Sequence, residues 1–491
     1  MTDAKRFPRP ALVRRVLHAL AASALLGIAL VPPLGCGSST PPPVSPTVLD
    51  IAESLRATPG ITNVTEVPNT ITGTRFFRMQ LTQPVDHTSS GGATFSQFLT
   101  LLYRSRTAPV VLATTGYSIS TNPGQGEPTR ILTANQITME HRFFNTSTPS
   151  PADWSKLFIE QSAADEHAVV LALKPLFSGK WLNTGGSKGG MTALFHRRFY
   201  PNDVDATLAY VAPINLANGD TRYPPFIDAR GSTATRLAIE AWQQAIFNKR
   251  TEVLALFQAD AATTSDTFAL LGADKTLEFA VLETPFILWQ YGNAALAAQV
   301  PAADASAQAL YGYLDLVNNG VVNTWADATL TYYQAYYQQC ANQLGYPANK
   351  ESHLTGLSYP GQDVPAIYPP VGVSKIYDGG TAMQGIQVWL STSAQQVILV
   401  YGENDPWSAG ALAVTPSDQA RGVWKFIAPA GNHGSKLATL ASADNTQAYA
   451  LLAQWLGAPV TPAATGTPAQ QKAQSQTADL LDTFVIRRPL R

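Results

Sequence analysis

An α/β architecture, a mostly parallel sheet interrupted by an inserted helical cap, is predicted by three features of this 491-residue sequence. Short apolar runs ending in turn residues alternate with segments of helical periodicity, as where helices cross between parallel strands. A glycine-rich serine motif sits at one strand-to-helix junction. A long block of helical patterns, rich in Trp, Tyr and Phe, separates the early strands from the late ones. Hydrophobic residues make up 45% of the chain, enough for a large core in one or two domains.

The chain opens on Lys5, Arg6, Arg9, Arg14 and Arg15, followed by an apolar run from Val16 to Val31. That run is short for a membrane span and is closed by Pro32-Pro33, so residues 1–36 read as a signal peptide. Pro33-Leu34-Gly35-Cys36 resembles the lipobox of bacterial lipoproteins, with proline where leucine is usual. Cys36 is therefore the expected lipidation site, and the protein is expected outside the cytoplasm, secreted or held at the cell envelope by that anchor. Ordinary signal cleavage nearby is the alternative. Residues 37–47, with Pro41-Pro42-Pro43, read as an extended tether unable to bury apolar surface.

Order is expected from about residue 48. Runs at Phe76–Leu81, Phe98–Tyr103 and Pro109–Thr114 read as strands, the last fully buried. Helical spacing of Leu157, Ala164, Val170 and Leu173 predicts a helix over 154–176. Trp181-Leu182-Asn183 is a short strand, Met191–Tyr200 a helix stopped by Pro201, and Thr207–Ala212 a further apolar run. Val397–Tyr401 and Val423–Ala428 are two late strands. Between them, helices are expected around 237–257, 277–290 and 325–344. The division that follows is a catalytic domain in two parts, 48–214 and 397–460, a helical cap over 215–396, and a C-terminal tail over 461–491.

Gly185-Gly186-Ser187-Lys188-Gly189 fits G-x-S-x-G. The motif suits a sharp strand-to-helix turn with the serine at its strained apex and small neighbours that let the chain pass closely. A phosphate-binding loop is the rival, but Lys188 is followed by Gly189 and the G-x-x-x-x-G-K-[ST] spacing is missing. The elbow makes the fold that of an α/β-hydrolase, with Ser187 as nucleophile. Of seven histidines, His18 is in the leader, His87 and His141 precede the serine, His167 and His196 lie in helices, and His353 lies in the cap. His433, in a loop after a late strand, remains as base. Asp405, after Val397–Tyr401, is the natural acid to orient it, with Glu403 and Asp418 as competitors. The oxyanion donors expected are the backbone N–H of Lys188 and, from the loop after Thr114, that of Tyr117, with Gly116 close behind.

Formal net charge is −1, which gives no basic stripe for nucleic acid. No cofactor and no metal is expected. Cys36 and Cys340 lie in unlike contexts and form no disulfide framework; Cys340, in a polar aromatic stretch without a glycine turn, reads as packed rather than nucleophilic.

The stretch from Gly185 to Pro213, GGSKGGMTALFHRRFYPNDVDATLAYVAP, resembles the bacterial S37 peptidases, also called the PS-10 family. Gln83-Pro84-Val85-Asp86-His87, Glu140-His141-Arg142-Phe143-Phe144, Trp289-Gln290-Tyr291-Gly292 and Tyr401 through Trp407 extend the resemblance across roughly Ile61 to Trp455. It implies a secreted serine exopeptidase that releases tripeptides from free N-termini, some members preferring proline before the cut, with Ser187, Asp405 and His433 as its triad. Peptides with free N-termini are then the partners. Such a substrate needs a carboxylate for its amine, for which Glu140 is a candidate, unless it pairs with Arg142 or another base. A lipase or esterase with the same triad, and a surface-binding lipoprotein without catalysis, are the other readings.

Overall fold

The computed structural model describes residues 49–461. The expected leader with Cys36, the tether and almost all of the tail lie outside the described residues.

Nine strands form the main sheet: β1 (Ile61–Val67), β2 (Arg75–Pro84), β3 (Thr94–Tyr103), β4 (Val110–Thr114), β5 (Asn135–Met139), β6 (Trp181–Gly186), β7 (Ala206–Tyr210), β10 (Val397–Gly402) and β11 (Val423–Ala428). Their order is β1-β2-β3-β5-β4-β6-β7-β10-β11. The first three are an antiparallel meander joined antiparallel to β5; from β5 onward every neighbouring pair is parallel. This is the α/β-hydrolase fold. Its parallel strands are covered on both faces, which is why β4 and β10 read as unbroken apolar runs. On one face Val111, Leu182, Leu208 and Val400 pack with the helix Ser442–Leu456. On the other, the helix Ile159–Leu173 lies over β2–β6, and the elbow helix Lys188–Phe199 over β7 and β10.

The interval after β7 builds its own core. Trp242, Phe257, Phe279, Leu288, Leu310 and Trp325 meet in a cluster separate from those of the sheet. The short parallel pair β8 (Asn218–Asp220) and β9 (Tyr346–Pro347) stitches its beginning to its later part. The last helix of the interval, Thr381–Thr392, leaves this cluster: Met383, Ile386 and Leu390 pack beside Val397 and Leu399 on the sheet.

Several expected elements are divided. The helix expected around 237–257 is two, Thr233–Asn248 and Arg250–Thr264, turning at Lys249 so that each buries its own apolar stripe. The 325–344 segment breaks into Asp327–Tyr332, Gln334–Gln339 and a wide π turn at Cys340–Leu344. The 154–176 helix is regular only over Ile159–Leu173, with 3₁₀ turns at either end.

Candidate active site

Ser187 stands between β6 and the helix Lys188–Phe199 at φ 54°, ψ −124°, a left-handed backbone that an L-residue adopts only under constraint. The constraint is visible. Its N–H donates to the Tyr210 carbonyl at 2.8 Å, and a Cβ at Gly189 would meet the carbonyl oxygen of Thr114. A Cβ at Gly185 would meet Gly189 itself, so the helix can start this close to the strand only with glycine at both places.

His433 follows β11 in a loop whose own N–H donates to the Gln290 carbonyl of the cap at 2.9 Å. Its Nδ1 lies 2.7 Å from Asp405 Oδ2, and both side chains are buried. Asp405 Oδ1 accepts the Trp407 N–H at 3.1 Å, which fixes the carboxylate. The two competing acids are engaged elsewhere: Glu403 accepts the Ala430 N–H at 2.7 Å, and Asp418 caps the helix Pro416–Ala420 while pairing with Arg421. With Nδ1 facing the carboxylate, Nε2 is the open ring nitrogen, and it has no hydrogen-bond partner among the described residues. The rings of Tyr291 and Trp407 flank the imidazole at 6.1 and 6.2 Å.

Ser187, Tyr117, Tyr291 and Trp407 open on one cavity of about 510 Å³, roofed by the cap through Glu283, Phe286, Gln290, Tyr333, Tyr336 and Tyr337. Aromatic residues of the expected cap, Tyr291 and Tyr336 among them, reach this space. Trp289 is packed in the cap core instead, and the Tyr332 hydroxyl meets Ser118.

Two sequence expectations change here. The Tyr117 N–H, expected as an oxyanion donor, is donated to Thr115 Oγ1 at 3.0 Å, because the threonine folds back on its own turn. Tyr117 lines the cavity, and its ring stands edge-on to that of Tyr333 at 5.5 Å. Glu140, expected to orient a substrate amine, is 1% exposed and does not line the cavity. Its carboxylate closes the following turn, accepting from Ser147 Oγ at 2.7 Å and Asn145 Nδ2 at 3.0 Å, and burial raises its pKa. Arg142, its other expected partner, is paired with Asp165 at 2.6 Å.

Lys188 is at the first helical position, where a backbone N–H has no partner within its helix. Its side chain has a role that the sequence reading did not include. Buried beneath the loop, its Nζ donates to the Gly116 carbonyl at 2.7 Å and lies 5.4 and 5.7 Å from the ring centres of Tyr117 and Phe144. Burial pulls its pKa down to about 7. The Cys340 thiol is buried and pushed up to about 12, a packed group and no nucleophile. Glu283 and Phe286 were also missed; spaced three apart in a helical stretch with Ile287 and Gln290, they formed a readable face.

Comparison with known proteins adds three findings. The model of the PS-10 peptidase S37 family matches residues 44–489. The prolyl tri/tetrapeptidyl aminopeptidase of Streptomyces mobaraensis is 40% identical over 451 residues, 91% of this chain and 92% of that protein. Among solved structures, a proline iminopeptidase of Mycobacterium smegmatis is similar at 13% identity and a TM-score of 0.33, over 80% of this chain and 99% of that one. A peroxisomal alpha-beta-hydrolase of Saccharomyces cerevisiae matches at 10% identity and a TM-score of 0.31, over 85% and 94%.

Proposed function

The chain belongs to the PS-10 peptidase S37 family and is a serine exopeptidase acting on peptides, and on that premise we propose that it releases tripeptides from free N-termini through Ser187, His433 and Asp405. The observation that carries this reading is the pairing of a strained serine with a roofed cavity: Ser187 opens on a space closed by the cap, and Tyr291 and Trp407, which line that space, flank the imidazole of the His433–Asp405 pair. A roofed site suits a chain end better than the middle of a polypeptide.

In this reading His433 Nε2 takes the proton of Ser187 Oγ as that oxygen attacks the carbonyl carbon of the third residue. Asp405 holds the imidazole and stabilises its cation. The Lys188 N–H receives the oxygen that becomes negative. The peptide C–N bond then breaks, the leaving nitrogen takes the proton from His433, and water hydrolyses the acyl-enzyme by the reverse sequence of transfers. Proline before the cut is the preferred residue, supported by the name of the Streptomyces relative and by the aromatic lining of the cavity, which holds a rigid ring at little entropic cost. Export belongs to the same proposal, with Cys36 carrying lipid; intact-mass analysis of protein from the native envelope decides it, and an unmodified N-terminus downstream of Cys36 sinks the anchor.

The test of the activity compares Ala-Ala-Pro and Ala-Ala-Ala reporter amides, each with a free and an acetylated N-terminus. The free Ala-Ala-Pro amide is expected to be cleaved fastest. Equal cleavage of free and acetylated substrates defeats the exopeptidase reading; equal rates for proline and alanine defeat only the proline preference.

A further inference from the structure

The helix Ala273–Tyr291 runs along the cavity roof, and five of its residues line the space: Glu283, Phe286, Ile287, Gln290 and Tyr291. Their spacing, i, i+3, i+4, i+7 and i+8, makes one helical face. The end of that face is tied to the catalytic loop, since the Gln290 carbonyl accepts the His433 N–H at 2.9 Å. Seven residues earlier, about 10 Å back along the axis, stands Glu283. Among the described residues it is the only carboxylate on the cavity wall, and no described lysine, arginine or histidine lines that wall.

Behind Glu283 lies Asp363, 7% exposed, whose carboxylate accepts from Asn349 Nδ2 at 2.8 Å and Tyr368 Oη at 2.5 Å. Glu283 accepts from Tyr346 Oη at 3.1 Å. Neither acid has a cationic partner among the salt bridges of the described residues. Burial raises the pKa of both carboxyls; the charge of Asp363 adds to the rise at Glu283, and that of Glu351 to the rise at Asp363, which is pushed up to about 6. Ionised, either carboxylate is a negative charge without a counter-ion among the described residues, an arrangement that a buried site keeps only at a cost. A donor is free on the same wall: Trp407 lines the cavity, is 9% exposed, and its Nε1 has no partner among the described residues.

We propose that Glu283, backed by Asp363, receives the α-ammonium group of the substrate and so sets how many residues reach Ser187. The ligand class is a primary or secondary ammonium at the end of an extended peptide. Three extended residues span about 10 Å, the distance that the helix measures between Glu283 and the His433 loop. The helix acts as a ruler, with the cation held at one end and the scissile carbonyl at the other. This inference rests on the exopeptidase reading above and assigns its anchor.

The experiment measures kcat/KM for free and acetylated Ala-Ala-Pro reporter amides with the unsubstituted enzyme, Glu283→Gln and Glu283→Asp, using fluorophosphonate labelling of Ser187 to count folded sites. Glu283→Gln should lower the free-to-acetylated ratio about 10- to 100-fold, mainly through KM for the free substrate, the effect of losing one charge-assisted contact. Glu283→Asp keeps the charge on a shorter arm and should give an intermediate ratio. A ratio unchanged in Glu283→Gln, with labelling retained, overturns the anchor and leaves the exopeptidase reading standing. A ratio of one in the unsubstituted enzyme overturns that reading itself.

Discussion

On the sheet side of the cavity, Ser187, Asp405 and His433 sit at strand ends where the backbone has no room to relax. Glycines at 185 and 189 let the elbow close, and the turn after β10 is fixed by its own capping bond to Asp405. The cap side is held differently. Glu283, Phe286, Ile287 and Gln290 ride on one 19-residue helix whose other faces bury Leu277, Val281 and Leu288 in the cap core. Backbone geometry fixes the first wall and side-chain packing the second. A side chain on the cap helix can change without moving Ser187 or the Asp405–His433 pair, whereas the elbow cannot be altered without moving Ser187. The sheet wall should therefore govern the rate of the chemical step on every substrate, and the cap wall the choice among substrates.

The largest effect expected is on the sheet wall. Ser187→Ala should abolish fluorophosphonate labelling and lower kcat by about 10⁴- to 10⁶-fold, equally for free and blocked, proline and alanine substrates. Steady-state kinetics on purified, folded variant reads this directly. Activity that persists on one substrate class would break the division of labour at its root.

That division also explains what could be read in advance. G-x-S-x-G announces its own turn, and Asp405 and His433 were legible because each follows an apolar run, Val397–Tyr401 and Val423–Ala428. Whether a particular amide or carboxylate is available is another matter. Tyr117 N–H is taken by the Thr115 hydroxyl and Glu140 by Ser147 and Asn145, contacts that depend on rotamers and turn geometry no pattern encodes. β5 escaped for a related reason. Asn135-Gln136-Ile137-Thr138-Met139 reads as polar, yet all five are buried, since Asn135 bonds the 104–109 turn and Gln136 bonds Gly126 and Thr129. In the cap, periodicity located helical stretches but not the break at Lys249, because several arrangements of amphipathic helices bury the same stripes.

A second test sharpens the picture of the sheet wall through Lys188. Its folded pKa, about 7, lies below the 10.5 of an unburied lysine. Between those values the unfolded chain holds a proton that the folded chain has released, so stability should rise with pH across that window. Below about pH 7 both states are protonated and the cost of burying the charge is felt in full. The bond to the Gly116 carbonyl and the two neighbouring rings favour the cation and offset part of that cost. Lys188→Met should remove a pH-dependent contribution on the order of a few kcal/mol, read as the difference in urea midpoints between pH 6 and pH 9.5. The variant should also lower kcat on free and acetylated substrates alike, since the loop bearing Gly116 and Tyr117 loses its tie to the elbow. Equal pH slopes in the two proteins would show that the lysine stays charged where it is.

The smallest expected effect probes the cap wall beside the chemistry. Phe286 lies three residues from Glu283 along the helix, and its ring meets Trp407 at 5.0 Å and Tyr223 at 5.9 Å. Trp407 in turn stands 6.2 Å from the His433 ring, so this aromatic group borders the place where the residue before the cut must lie. A proline ring there trades water for flat apolar surface, while alanine leaves part of that surface uncovered. Removing one aromatic contact is worth about 0.5 to 1.5 kcal/mol, so Phe286→Ala should reduce the ratio of kcat/KM for Ala-Ala-Pro over Ala-Ala-Ala about 2- to 10-fold. The free-to-acetylated ratio should hold, because the carboxylate of Glu283 is one turn away. If both ratios fell together, Phe286 would be holding the helix as a whole, and the cap wall would set position instead of choice. If the proline ratio held, the pocket for that ring would have to be formed by other cavity residues, with Tyr291 and Tyr336 the next to substitute.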